Sequence, residues 1–172
     1  MNMILPLLIL IPLIGAIVTL FMGGSRQKAA EFTALVFSAV TLVLALFVML
    51  TMGTEDYSMS MTWIETTSVV MNFALTVDGL SILMVFLTGL LVMLVCIFSA
   101  EEKMENPNYF YALILAMEVG LMGVYMAADY FLFYIMWEIT LIPMYFLISW
   151  YGGPRRHYSA IKFFIYTHVA SL

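Results

Sequence analysis

Apolar residues fill this chain in stretches of about twenty positions, the length that crosses a bilayer as a helix, with short polar connections between them. The pattern predicts helix 1 over about Ile4 to Met22, helix 2 over Phe32 to Met52 and helix 3 over Leu80 to Ser99. Helix 4 is expected over Tyr109 to Ala127 and helix 5 over Tyr130 to Trp150. A sixth begins near Ser159 and has no visible end, so five spans are read as complete and one as cut short. Helix 1 lacks the basic leader of a signal peptide, and Gly23–Gly24–Ser25 lead straight into another span, so it is kept as a helix. The fold class is all-α, a polytopic transmembrane helix bundle.

One polar connection carries a second periodicity. From Val69 to Val77, Val69, Met71, Phe73, Leu75 and Val77 alternate with Val70, Asn72, Ala74 and Thr76. A period of two marks a half-buried strand, so a short β segment is expected outside the membrane, against the alternative of an ordered loop without a partner strand. Asp78 precedes the apolar start of helix 3 and is placed to cap it.

Composition agrees with the pattern. The chain is 65% hydrophobic and 10% charged, against roughly 25% charged in a soluble domain. No soluble segment is large enough for a redox cofactor, so none is expected in this chain. Cys96 is the only cysteine, which excludes internal disulfides and cysteine-ligated clusters. The sixteen methionines are spread over all spans and read as adaptable apolar filler, so no metal is expected either. A net charge of −5 points away from nucleic acid as a partner; the expected surroundings are the lipid bilayer and other membrane proteins.

Charge also orients the chain. Arg26 and Lys28 follow helix 1, Lys103 follows helix 3, and Arg155 and Arg156 follow helix 5. The connections after helices 2 and 4 contain no Lys or Arg. The positive-inside rule then predicts a multi-pass protein of the cell (plasma or inner) membrane, its basic connections cytoplasmic and its N-terminus outside.

Against this apolar background a few polar side chains stand out. Glu138 lies mid-way along helix 5, in FLFYIMWEITLIPMYFLISWYGG. A carboxylate at that depth costs a few kcal/mol to insert and is a candidate for ion or proton transfer. Pro143, five residues on, has no N–H and leaves the Ile139 carbonyl without its helical partner. Glu118 lies at a similar depth on helix 4, and whether it faces Glu138 depends on a rotation that the sequence leaves open. A packing role remains its alternative, because AMEVGLMG is rich in small residues. Lys162 is the only cation within a span, too near its end to reach Glu138 directly; it reads as a snorkelling lysine or a relay. His168 is a mid-depth imidazole that suits either a proton relay or an interhelical hydrogen bond.

The stretch YALILAMEVGLMGVYMAADYFLFYIMWEITLIPMYFLISWYGG, followed by AIKFFIYTHVASL, resembles the antiporter-like subunits of respiratory complex I, the M-type in particular. VDGLSILMVFLTGLL in helix 3 resembles the same family. The resemblance implies a proton-translocating membrane subunit of a quinone-type dehydrogenase, fed by NADH or by a reduced deazaflavin. Its partners would be other membrane subunits, its cargo protons, and it would carry no redox centre itself. The helix-5 carboxylate is that family's channel acid, and Glu138 matches it; the family's partner lysine, on helix 7, lies beyond Leu172. Lys162 matches the KFFIYT motif and not the channel lysine. The resemblance divides the chain into a three-helix region, 1–108, and the start of a proton-conducting antiporter-like domain, 109–172. Membrane-bound hydrogenases and multi-subunit sodium/proton antiporters share the motif, and a non-conducting structural fragment is a third reading.

Overall fold

The computed structural model describes residues 3–22, 27–53, 55–66, 69–102 and 104–171. The chain runs α1 (Ile4–Phe21), α2 (Gln27–Thr51), β1 (Ser58–Thr66), β2 (Val69–Thr76), α3 (Gly79–Ser99), α4 (Pro107–Met126), α5 (Tyr130–Tyr151) and α6 (Arg156–Ser171). The helices α1 to α5 are each long and apolar enough to cross a membrane. This is a multi-pass membrane protein.

Two helices start earlier than their apolar residues do. Helix α2 begins at Gln27, five residues before Phe32, and α6 begins at Arg156, three before Ser159. The first turns of both are polar, so they extend past the apolar stretch at one end of the bundle. In α6 that turn is tied to the end of α5: Arg156 Nη1 donates to the Trp150 carbonyl at 2.9 Å, and Ser149 Oγ lies 2.9 Å from His157 Nδ1.

Helices α1 to α4 form the core, with α4 packed against α1, α3 and α5. Its apolar residues fall into two clusters along the bundle. One, towards the hairpin, includes Leu5, Leu8, Val48, Val85, Val119, Met122 and Met126. The other, towards the polar first turns, includes Ala16, Ala30, Ala34, Cys96, Tyr111 and Leu115. Close approach of α4 and α5 depends on Gly120 and Gly123. A Cβ at Gly120 would lie 2.5 Å from Thr140 Cγ2 and 3.2 Å from the Met136 carbonyl oxygen. Only a missing side chain lets the two backbones sit that near.

The expected strand is present as β2, and it does have a partner. β1 pairs with it antiparallel from Ser58↔Thr76 to Thr66↔Val69, with an irregularity between Thr62 and Ile64. The hairpin closes one end of the bundle. Tyr57 and Leu75 are buried there, and the Ala128 N–H donates to the Ala74 carbonyl at 2.8 Å, tying the hairpin to the α4–α5 turn. Asp78 caps α3 as expected, accepting from the N–H groups of Ser81 at 2.7 Å and Leu80 at 3.0 Å.

The connections assigned to one membrane side do converge. Gln27 Nε2 donates to the Glu102 carbonyl at 2.7 Å, and the Tyr151 hydroxyl donates to the Asn106 carbonyl at 2.8 Å. Arg26 and Lys103, two of the five basic residues behind the orientation, lie outside the described residues.

Candidate functional site

Helix α5 starts from Asp129, whose carboxylate accepts from Phe131 N–H at 2.8 Å, and continues through Pro143 to Tyr151. It presents Glu138 to α6. There Oε2 of Glu138 lies 2.7 Å from His168 Nδ1, and Oε1 accepts the Ser171 hydroxyl at 2.7 Å. The Ser171 proton has a second acceptor, the His168 carbonyl at 2.9 Å. Phe164, one turn before His168, stacks on the imidazole with ring centroids 5.6 Å apart and planes within 6°. That contact holds the ring edge-on to the carboxylate. Tyr134, one turn before Glu138, places its side chain within reach of the same carboxylate. The pair opens on a groove of about 350 Å³ lined by Tyr134, Ile135, Glu138, Ile139, Ile142, Phe164 and His168.

The early start of α6 explains this pairing. Glu138 is thirteen residues from Tyr151 and His168 twelve from Arg156, so both lie about 18–20 Å from that end of their helices. With α6 started at Ser159, the imidazole would fall about 4–5 Å short. The sequence therefore left Glu138 in need of water or a cation from elsewhere, whereas the fold supplies His168. Ser171 and Tyr134 escaped the sequence reading altogether. Both stand at helical spacing from a residue that it did select, Ser171 three after His168 and Tyr134 four before Glu138.

Glu118 is at the expected depth but faces elsewhere. It is eight residues from the end of α4 and Glu138 eight from the start of α5, so both lie about 12 Å from the turn. At about 100° per residue, however, Glu118 is about 160° round α4 from Gly120, which faces α5. Its side chain points into the α1–α4 bundle, where it is 0% exposed and interacts electrostatically with Cys96 of α3. The two carboxylates thus occupy one level on opposite sides of α4. Neither oxygen of Glu118 has a hydrogen-bond partner among the described residues.

Lys162 stays apart from both acids. It lies on the exposed flank of α6 with Nζ 5.7 Å from the centre of the Tyr166 ring. Among the described residues, no group of three or more His, Cys, Asp or Glu is placed to hold a metal ion.

Chemically, the α5–α6 pair is a carboxylate in contact with one nitrogen of an imidazole. An imidazole that gains a proton at Nε2 can release the one at Nδ1, so a proton delivered from the far side of the ring reaches Glu138 Oε2 without the ring moving.

Known proteins share the sequence pattern and the fold of this chain. A family model described as the transmembrane region of NADH:quinone oxidoreductase and Mrp antiporter proteins matches residues 127–172. F(420)H(2) dehydrogenase subunit M of Methanosarcina mazei is 42% identical over 170 residues, covering 96% of this chain and 34% of that protein. NADH-quinone oxidoreductase subunit M of Escherichia coli is 37% identical over 188 aligned positions, covering 99% of this chain and 36% of that one. The structure of respiratory complex I from Thermus thermophilus with bound NADH contains a chain that superposes with a TM-score of 0.80 at 25% identity, over 98% of this chain and 33% of that one. The chain spans about a third of the length of these relatives. Matched along nearly all of its own length in sequence and in fold, it belongs to the antiporter-like membrane-subunit family that includes subunit M of these dehydrogenases.

Proposed function

We propose that the chain works as a proton-translocating membrane subunit of a redox-driven dehydrogenase of the NADH (or deazaflavin)–quinone type, and that Glu138 is the carboxylate on which the moving proton waits. The observation that carries this reading is the contact of Glu138 with His168 Nδ1 and the Ser171 hydroxyl, each at 2.7 Å, within a membrane-spanning helix. An acid in such a position is costly, and transport gives it a use. His168 acts as the relay, handing a proton from Nδ1 to Oε2 as Nε2 takes another. Ser171 and Tyr134 hold the carboxylate towards the ring. Lys162 takes no direct part.

Electrons pass through partner subunits in this reading, and the chain itself carries no redox cofactor. Its partners are the other membrane subunits of the complex. The end of the bundle bearing Lys28, Arg155 and Arg156 faces the cytoplasm, as the positive-inside rule requires, with the hairpin outside the cell membrane.

The test is Glu138→Gln in the intact complex, in sealed membrane vesicles. Glutamine keeps the volume and much of the hydrogen bonding but cannot titrate. Proton pumping should fall strongly while electron transfer to an artificial acceptor stays near wild type. Pumping at the wild-type ratio in a fully assembled variant would overturn the proposal. A sodium/proton antiporter subunit, the second function that the family's description covers, would instead show Glu138-dependent flux that requires sodium.

A further inference from the structure

A second polar feature lies on the other side of α4, away from Glu138. Four buried side-chain oxygens lack a hydrogen-bond partner among the described residues: Asn108 Oδ1, the Tyr111 hydroxyl, and both oxygens of Glu118. All belong to α4. At about 100° per residue, positions 108, 111 and 118 fall within about 80° of one another, on one face. They extend about 15 Å along the helix, from its first turn to the level of Glu118. Asn108 is 5% exposed, and Tyr111 and Glu118 are 0% exposed. An apolar core does not leave such groups bare without cost; orphaned buried oxygens in a row mark places where water is held.

The groups around them continue the line. Tyr111 interacts electrostatically with Glu31, the fifth residue of α2, and with Cys96 of α3. Cys96 in turn interacts with Glu118 and with the Ser38 hydroxyl of α2. The side chains packed about this part of the bundle include Ala16, Ala30 and Ala34. Polar groups therefore connect the membrane face at Glu31 and Asn108 to a carboxyl in mid-membrane, in a part of the bundle that contains none of Glu138's partners.

We propose that this line is a hydrated half-channel through the α1–α4 bundle, in which Glu118 exchanges its proton with the membrane face that carries the α1–α2 and α3–α4 connections. Water bridges the orphaned oxygens, and the Tyr111 hydroxyl is the link between Glu118 and the outer end. Each transfer moves one proton from oxygen to oxygen, so a proton that reaches Glu118 leaves the outermost water one short, to be restored from bulk. The half-channel does not depend on Glu138 carrying protons.

The test is infrared difference spectroscopy of the intact membrane complex during transfer into D₂O. The carboxyl band of Glu118 is assigned by its loss in Glu118→Gln or, where that variant does not assemble, by its shift in Glu118→Asp. The band should exchange in the wild type, and Tyr111→Phe, which removes one hydroxyl and little volume, should slow that exchange by about tenfold or more. Glu138→Gln should leave the exchange rate unchanged. A Glu118 band that does not exchange would show a sealed structural acid and overturn the proposal. Equal rates in wild type and Tyr111→Phe would overturn it too, as would slowing by Glu138→Gln, which would mean that Glu118 is reached from the α5 side.

Discussion

Replacing His168 tests whether the imidazole relays protons or only steadies Glu138. His168→Leu removes the 2.7 Å contact to Oε2 and leaves the Ser171 bond to Oε1 in place. A hydrogen bond to a charged group contributes about 1.5–3 kcal/mol. The lower figure sets the smallest effect to expect. A loss of about 1.5 kcal/mol lowers by roughly tenfold the fraction of time the carboxylate spends in its productive position. His168→Gln separates the two roles, since its amide can donate to the carboxylate but cannot take up and release a proton.

The assay is the initial rate of vesicle acidification divided by the rate of electron transfer, measured on assembled complexes. Both variants should fall at least about tenfold in this ratio, because the relay is lost in each. Recovery in His168→Gln alone would reduce His168 to a positioning residue. A wild-type ratio in His168→Leu would refute any part for the imidazole, and with it the view that the contact to Glu138 serves transport.

Three further outcomes follow from the same structure. Gly120→Ala should lower the thermal stability of the assembled protein, by about 1–3 kcal/mol for overpacking between α4 and α5, whereas Gly53→Ala should be silent because nothing lies within 4 Å of its added Cβ. Cysteine probes at exposed Ser58 and Gly153 should label from opposite sides of the membrane, Ser58 from outside and Gly153 only after permeabilisation; the reverse would show that assembly and not charge sets the topology. Hydrogen bonds from the Ser81 N–H and side chain hold the Asp78 carboxyl below the ordinary carboxylate range. Its contribution to capping α3 is thus complete above the ordinary carboxylate value and lost as pH falls through the lowered one. Amide exchange in the first turn of α3 should accelerate across that acid window, and the pH dependence should vanish in Asp78→Asn.

The spans and their order were legible because each is a long apolar run, and the depth of the two acids followed from counting along it. Rotation about the helix axes was not, for a reason visible in α4. Apolar residues dominate that helix on every side, and Asn108 and Tyr111 alone on the face of Glu118 make too sparse a polar stripe to say which neighbour the acid meets. The information was present in another form: Gly120 and Gly123, three apart, mark the face on which α5 packs, and Glu118 lies nearly opposite. The small residues of AMEVGLMG do pack closely, but against α5 and away from the acid among them. The partner strand was hidden in a similar way. Met59, Met61 and Trp63 alternate with Ser58, Ser60 and Thr62, but the irregularity between Thr62 and Ile64 cuts the alternation short.

Helix ends were the costliest gap, because an error of three residues there decided whether a site existed. Hydrophobicity shows where a helix enters the apolar layer, not where its hydrogen bonding begins. Arg156, His157 and Tyr158 read as a loop because they are polar, yet they form the first turn of α6, anchored to Ser149 and Trp150. Those three residues move His168 about 4–5 Å along the bundle, the difference between an isolated imidazole and one in contact with Glu138. The same reasoning applies to α2, whose first turn, Gln27 to Ala30, leads directly into Glu31 at the outer end of the α4 polar face. In both places residues outside the apolar run position groups within it. The polar turns at helix ends therefore deserve the same reading as the intramembrane acids whose partners they bring into register.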